Sequence, residues 1–144
     1  MTAKEYLNQI REKDALINKM IKQKENLKGM LYTIGSPGAG EKVQTSKSGS
    51  SRYEELFAKI SEKESMINEK TDELIDLRIK ICEQINELPD DVHISVLYAR
   101  YIELKAWKTI ATEMKYNYNY LFHIHGAALS EFYKMYKQGI NPEI

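Results

Sequence analysis

The chain has 144 residues, 42% of them hydrophobic and 29% charged, and its 21 basic and 21 acidic side chains cancel. That length carries one compact domain, or a small domain with an extension, and a net charge of zero removes any global pull toward nucleic acid or anionic membrane, so partners must be recognised locally. The single cysteine, Cys82, excludes a disulfide framework and a cysteine-based zinc site and reads as a small buried apolar residue of a reducing cytoplasm, while no stretch reaches the ~18 apolar residues of a membrane span.

The sequence predicts an all-α chain. From Ala3 to about Tyr32 there is no proline, and Leu7, Ile10, Ile17, Ile21, Leu27 and Leu31 recur at helical spacing, so one long amphipathic helix is expected, ending near Gly35. The next stretch, Thr33 to Ser51, holds four of the seven glycines and five serines and reads as a connecting loop. A second long helix is expected from Tyr53 to about Leu88. Tyr53, Ile60, Ile67, Leu74, Ile81 and Leu88 fall seven apart, with Leu56 and Leu77 on the companion track, where Lys63, Lys70 and Gln84 interrupt it. "IREKDALINK" (Ile10 to Lys19) and "ISEKESMINE" (Ile60 to Glu69) are identical at Ile, Glu, Lys, Ile and Asn; a duplicated helix and convergent use of helix-forming residues both account for it. Two such helices, one apolar stripe each, should pack as a long antiparallel, coiled-coil-like hairpin over residues 1–88.

Pro89 stops the second helix, and Asp90 or Asp91 caps a third whose apolar residues are Val92, Val96, Leu97, Tyr101 and Ile102. A short helix, Trp107 to Met114, and a longer one, about Tyr118 to Tyr136, complete a three-helix unit over residues 89–144. In the short helix Ile110, Ala111 and Met114 should face inward; in the longer one Leu121, Ile124, Ala128 and Leu129. "KYNY" supplies the turn and Asn117 a cap. This is the pattern of a helix-turn-helix, and three helices packed without any DNA function would show it too.

Enzymatic and metal chemistry find little support. "GSPGAGEK" offers Gly35, Gly40 and Lys42, but Glu41 intervenes, Val43 follows and no strand precedes, so it is not a phosphate loop. His123 and His125 lie two apart and should point about 200° from one another on a helix, which prevents them from sharing an ion; both are expected to be neutral and partly exposed. Glu54-Glu55 and Asp90-Asp91 read as helix-start charges. No cofactor is implied.

From Leu88 onward, "LPDDVHISVLYARYIELKAWKTIATEMKYNYNYLFHIHGAAL" resembles the fourth conserved region of bacterial sigma factors, the helix-turn-helix that recognises promoters. Nearly the whole chain is similar to a family of small phage and prophage proteins of Firmicutes with a sigma-like C-terminus, through "AKEYLNQIR", "IGSPGAGEKVQTS", "INEKTDELIDLRIKI" and "RYIELKAWKTIATEMKY" followed by "HGAAL". The seventeen lysines against four arginines fit an AT-rich coding bias of that kind.

The resemblance implies a phage-encoded, DNA-binding transcription regulator in the bacterial cytoplasm, acting on double-stranded DNA and in contact with RNA polymerase. Its long helices would serve as a homo-oligomer or partner arm. Lys108 and Thr109 would approach backbone phosphates, and Tyr118, Asn119, Tyr120, Phe122 and His123 would form the reading surface, with Lys115 and Asn117 of the turn counted among the DNA-binding residues. In that role Asn119 reads an adenine edge, Tyr118 and Tyr120 bond phosphates and Phe122 meets a thymine methyl. Two departures stand out: Leu104 occupies a turn position where glycine is common, and the reading surface has no arginine or lysine until Lys134. A DNA-packaging subunit resembling a small terminase, and a protein-binding module with no DNA readout, are the alternatives.

Overall fold

Seven-residue spacing builds the two long helices. In the computed structural model, which describes residues 1–34 and 49–142, α1 spans Ala3–Ile34 and α2 spans Gly49–Asn86. Most of the Thr33 to Ser51 stretch, with Gly35, Gly40 and Lys42, lies outside the described residues. α1 opens with a capping box: the Thr2 hydroxyl accepts from the Glu5 N–H (3.1 Å) and the Glu5 carboxylate accepts from the Thr2 N–H (3.2 Å).

Each helix carries one largely aliphatic track and one mixed track. On α2, Ile60, Ile67, Leu74 and Ile81, and Leu88 just beyond its end, are buried, while Leu56, Lys63, Lys70, Leu77 and Gln84 are half-buried. On α1, Ala3, Ile10 and Ile17 are buried with Lys24 and Leu31 half-buried; beside them run Tyr6 and Met20, buried, with Lys13, Leu27 and Ile34 half-buried. Lysines tolerate these positions because their methylene stems cover apolar surface while the ammonium reaches water. Two expectations need correcting. Met20 is the buried residue and Ile21 is 38% exposed, because the 3-4-3-4 register passes through position 20; Tyr53, expected on the α2 seam, is exposed. Cys82 is half-buried, and Asn86 donates a weak bond to its sulfur (3.6 Å).

The helices run antiparallel. Tyr6 near the start of α1 donates to Gln84 near the end of α2 (2.9 Å), whereas Met30 and Ile34 line one groove with Arg52 and Leu56. The chain divides into two compact units, Asp14–Glu73 and Met1–Lys13 with Leu74–Ile144. The first is a two-helix packing around Ile17, Met20, Ile60 and Ile67, with Met30, Tyr53 and Phe57 left exposed.

The second unit contains the C-terminal helices: α3 (Asp91–Leu97), extended by a π turn (Tyr98–Ile102), then α4 (Trp107–Met114) and α5 (Tyr118–Ile140). Asp90 caps α3, its carboxylate accepting from the N–H groups of Val92 and His93 (2.8 and 3.3 Å). In this unit Leu7 and Ile10 of α1, Ile81 and Ile85 of α2, and Val96, Leu97, Ile110, Leu121 and Phe132 are all fully buried. Tyr6 packs against Phe132 with ring centres 6.0 Å apart. Tyr136, where α5 kinks, brings its hydroxyl to the Glu87 carboxylate (2.6 Å) and the Gln84 carbonyl (3.0 Å).

Two residues past the π turn, Leu104 is held at φ 58°, the left-handed region that glycine adopts most easily. The Glu103 N–H bonds back to the Tyr98 carbonyl and the Lys105 N–H to that of Ala99, both at 3.0 Å. Carbonyls at this helix end lack intrahelical donors, and arginines supply them. Arg11 donates to the Arg100 carbonyl (3.4 Å), Arg78 to that of Ile102, and Arg100 to that of Lys105 (2.9 Å). Three of the four arginines in the chain are therefore structural.

Candidate nucleic-acid interface

The connection between α4 and α5 is three residues, Lys115 to Asn117, and its sequence fixes its shape. Lys115 sits at φ 59°, ψ 40°, with its N–H directed to the Thr112 carbonyl (3.3 Å) while the Tyr116 N–H bonds the Ala111 carbonyl (3.0 Å). That is the Schellman closure, with a lysine where glycine is usual. Asn117 then caps α5, its side-chain carbonyl accepting from the Tyr120 N–H at 2.8 Å. Beneath the turn, Val96, Ala99, Ile110, Ala111, Leu121 and Ile124 form one cluster, against which Trp107, Met114 and Tyr116 pack. Short Ala99 and Ala111 let the three helices approach closely.

This packing decides which α5 residues face outward. Leu121, Ile124, His125 and Ala128 are buried, whereas Asn119, Tyr120, Phe122, His123, Gly126 and Ala127 are exposed. At about 100° per residue, Asn119 and His123 stand at the crest, Tyr118 and Phe122 on one shoulder, Tyr120 on the other. Tyr118, Tyr120 and Phe122 are 47, 50 and 47% exposed. Lys108, Thr109, Lys115 and Asn117 are exposed as well, so all nine positions expected from the sequence to meet DNA are on the surface. They fall on two elements and the turn between them. Asn117 has its carbonyl oxygen committed to the cap, which leaves its amide N–H groups to face outward.

Aromatic rings brace the shoulder. Tyr118 stacks on Phe122 at 6.0 Å, Phe122 meets the edge of Trp107 at 5.3 Å, and the Arg100 guanidinium lies 4.7 Å from the centre of the same indole. Tyr116 and Tyr120 pair edge-on at 4.8 Å. Lys105 is held by Glu113 (2.8 Å) and Glu103 (3.5 Å), which leaves Lys108 and Lys115 as the exposed cations nearest the turn.

His125 is the main correction at the site. It was expected to be partly exposed, yet it is 8% exposed, in contact with Trp107 and within 2.7 Å of the Tyr101 hydroxyl. Burial, with Lys4 and Arg100 adding to it, pushes its pKa down to about 4, and burial pushes Tyr101 up to about 12. Both are neutral near pH 7. Position 125 lies four residues after Leu121 and three before Ala128, so the inner-face spacing itself carried the signal. His123 and His125 do point apart, and among the described residues no group of three or more potential metal ligands comes together. The bracing role of Arg100 and Trp107 was not foreseen from the sequence.

Comparison with protein-family models, with curated proteins and with solved structures returned no match to this chain. Chemically, the surface offers one crest amide, one crest imidazole, two tyrosine hydroxyls and an exposed phenyl ring beside two lysines. Such groups can bond base edges and phosphates, and the phenyl ring can contact a methyl group.

Proposed function

We propose that the protein is a phage-encoded regulator of transcription that binds double-stranded DNA with α5 in the major groove and α4 across the backbone. The observation that carries this reading is the presentation of the first two turns of α5. Asn119 and His123 stand outward and are flanked by half-exposed tyrosines, while Leu121, Ile124 and His125 anchor the helix across a three-residue turn. Lys108 and Lys115 supply backbone charge from α4 and the turn. Residues 90–144 have no net charge, so phosphate neutralisation alone gives weak binding; RNA polymerase or a second copy of the chain would supply the rest. Exposed Met30, Tyr53 and Phe57 in the other unit support its use as a partner or oligomer arm.

A second reading, that α5 docks on a protein, is favoured by the same half-exposed aromatic rings. Fluorescence anisotropy with pooled fragments of the source genome at about 50 and 200 mM salt separates the two. A DNA regulator retains one upstream region, more tightly at the lower salt. If no fragment is retained at the lower salt, the DNA reading fails, and RNA polymerase becomes the first protein to test.

A further inference from the structure

The reading surface of α5 carries a bias in what it can recognise. Guanine is read in the major groove chiefly by arginine or lysine, adenine by asparagine or glutamine, and the thymine methyl by apolar side chains. The exposed positions from Tyr118 to Ser130 include Asn119 and Phe122 and contain no arginine or lysine. Three of the four arginines are tied to carbonyls around the π turn. His123 can donate to the N7 acceptor that both purines share, so it does not discriminate between them. Beyond it the crest continues with Gly126 and Ser130: a Cβ built on Gly126 would meet nothing within 4 Å, which leaves the second half of the face open and without long side chains.

We infer that this interface selects A·T base pairs over G·C, with adenine fixed opposite Asn119 and thymine beside Phe122; the inference rests on the DNA-binding reading above. Discriminating readout is concentrated in the first two turns of α5, because Gly126, Ala127 and Ser130 beyond them bring no bidentate side chain to the face. The recognised site is therefore short. Tyr118 and Tyr120 flank the crest with hydroxyls that can donate to phosphates and set the register without adding sequence information.

The test is selection from a random-sequence duplex pool at about 50 mM salt, using the full chain, Asn119→Ala and Asn119→Arg, with far-UV circular dichroism to confirm that each is folded. Asn119 is exposed, so both variants should keep their helices. The wild type is expected to enrich A·T-rich duplexes with one fixed adenine. Asn119→Ala should lose that preference and about tenfold in affinity for the selected site, and Asn119→Arg should move the position toward guanine. Retained duplexes rich in G·C, retention without base preference, or an unchanged adenine with Asn119→Ala would overturn the inference while leaving DNA binding intact. Failure to retain any duplex would overturn both the inference and the regulator reading.

Discussion

Lys115 combines backbone strain with a place on the proposed interface. A left-handed conformation costs a residue with a Cβ about 1–2 kcal/mol, against about 0.5–1 kcal/mol of extra chain entropy that glycine loses on folding. Lys115→Gly should therefore stabilise the protein by about 0.5–1 kcal/mol, read as a higher urea midpoint. If Lys115 also meets a phosphate, the same variant should bind DNA more weakly, with the slope of log affinity on log salt reduced by about 0.9. A lower midpoint would mean that the lysine side chain contributes more to folding than its strain costs. His125 gives a pH dependence of definite sign. Below its ordinary value of 6.5 the unfolded chain takes up a proton that the folded chain refuses until about pH 4. Its contribution is thus complete above pH 6.5 and is lost as pH falls to about 4, on the order of 2 kcal/mol once water at the ring edge is allowed for. His125→Gln, which retains a partner for Tyr101 and does not titrate, should flatten that slope in chemical unfolding at a series of pH values; parallel slopes for the two proteins would remove His125 as the cause. Such residues were only half legible beforehand. Asn117 as a cap and Leu104 at a turn were visible as single letters in the right place, and the inner-face spacing marked His125, but its partner Tyr101 lies 24 positions away and had no local signal.

At the scale of elements, the aliphatic track of α2 could be read directly because every seventh residue from Ile60 to Leu88 is Ile or Leu. The track through Met20 in α1 could not, since Lys13 on it looks like a solvent-facing residue although it is half-buried. Beyond Leu104 the π turn had little sequence signal: its carbonyls are met by Arg11 and Arg78 from the two long helices, while its own Arg100 reaches forward to the Lys105 carbonyl. Arg78 is the simplest of these to test. Removing its guanidinium leaves the Ile102 carbonyl without that donor, and a bond from a charged group contributes about 1.5–3 kcal/mol. Arg78→Met, which keeps most of the stem, should lose about that much stability. Amide exchange should accelerate first around Tyr98 to Lys105, ahead of α5. Uniform acceleration across the second unit would instead show that Arg78 supports the core as a whole.

For the molecule as a whole, the C-terminal helices share one compact unit with the start of α1 and the end of α2. Leu7 and Ile10 from α1 and Ile81 and Ile85 from α2 are all fully buried, and Arg11, Arg78, Tyr6 and Gln84 bond or stack onto the α3 to α5 group or its supports. A fragment beginning at Pro89 would strip Tyr6 from Phe132 and Gln84 and Glu87 from Tyr136, and would leave the Arg100 and Ile102 carbonyls without their arginine donors. Losing four buried aliphatic side chains at once, each contributing about 2–5 kcal/mol when truncated to alanine, is as large as the roughly 5–15 kcal/mol that holds a domain together. Residues 89–144 alone should therefore show helical far-UV dichroism at most, with no cooperative melt and no selective DNA binding. The full chain should melt with one sharp transition for this unit, and Leu7→Ala should lower that transition although Leu7 lies more than eighty residues before the first helix of the group in sequence. A fragment that melts cooperatively at the same temperature as the whole chain would show that α3, α4 and α5 need neither long helix. In that case the long helices would be free to act as an arm alone, and the DNA experiments could be repeated on the smaller piece.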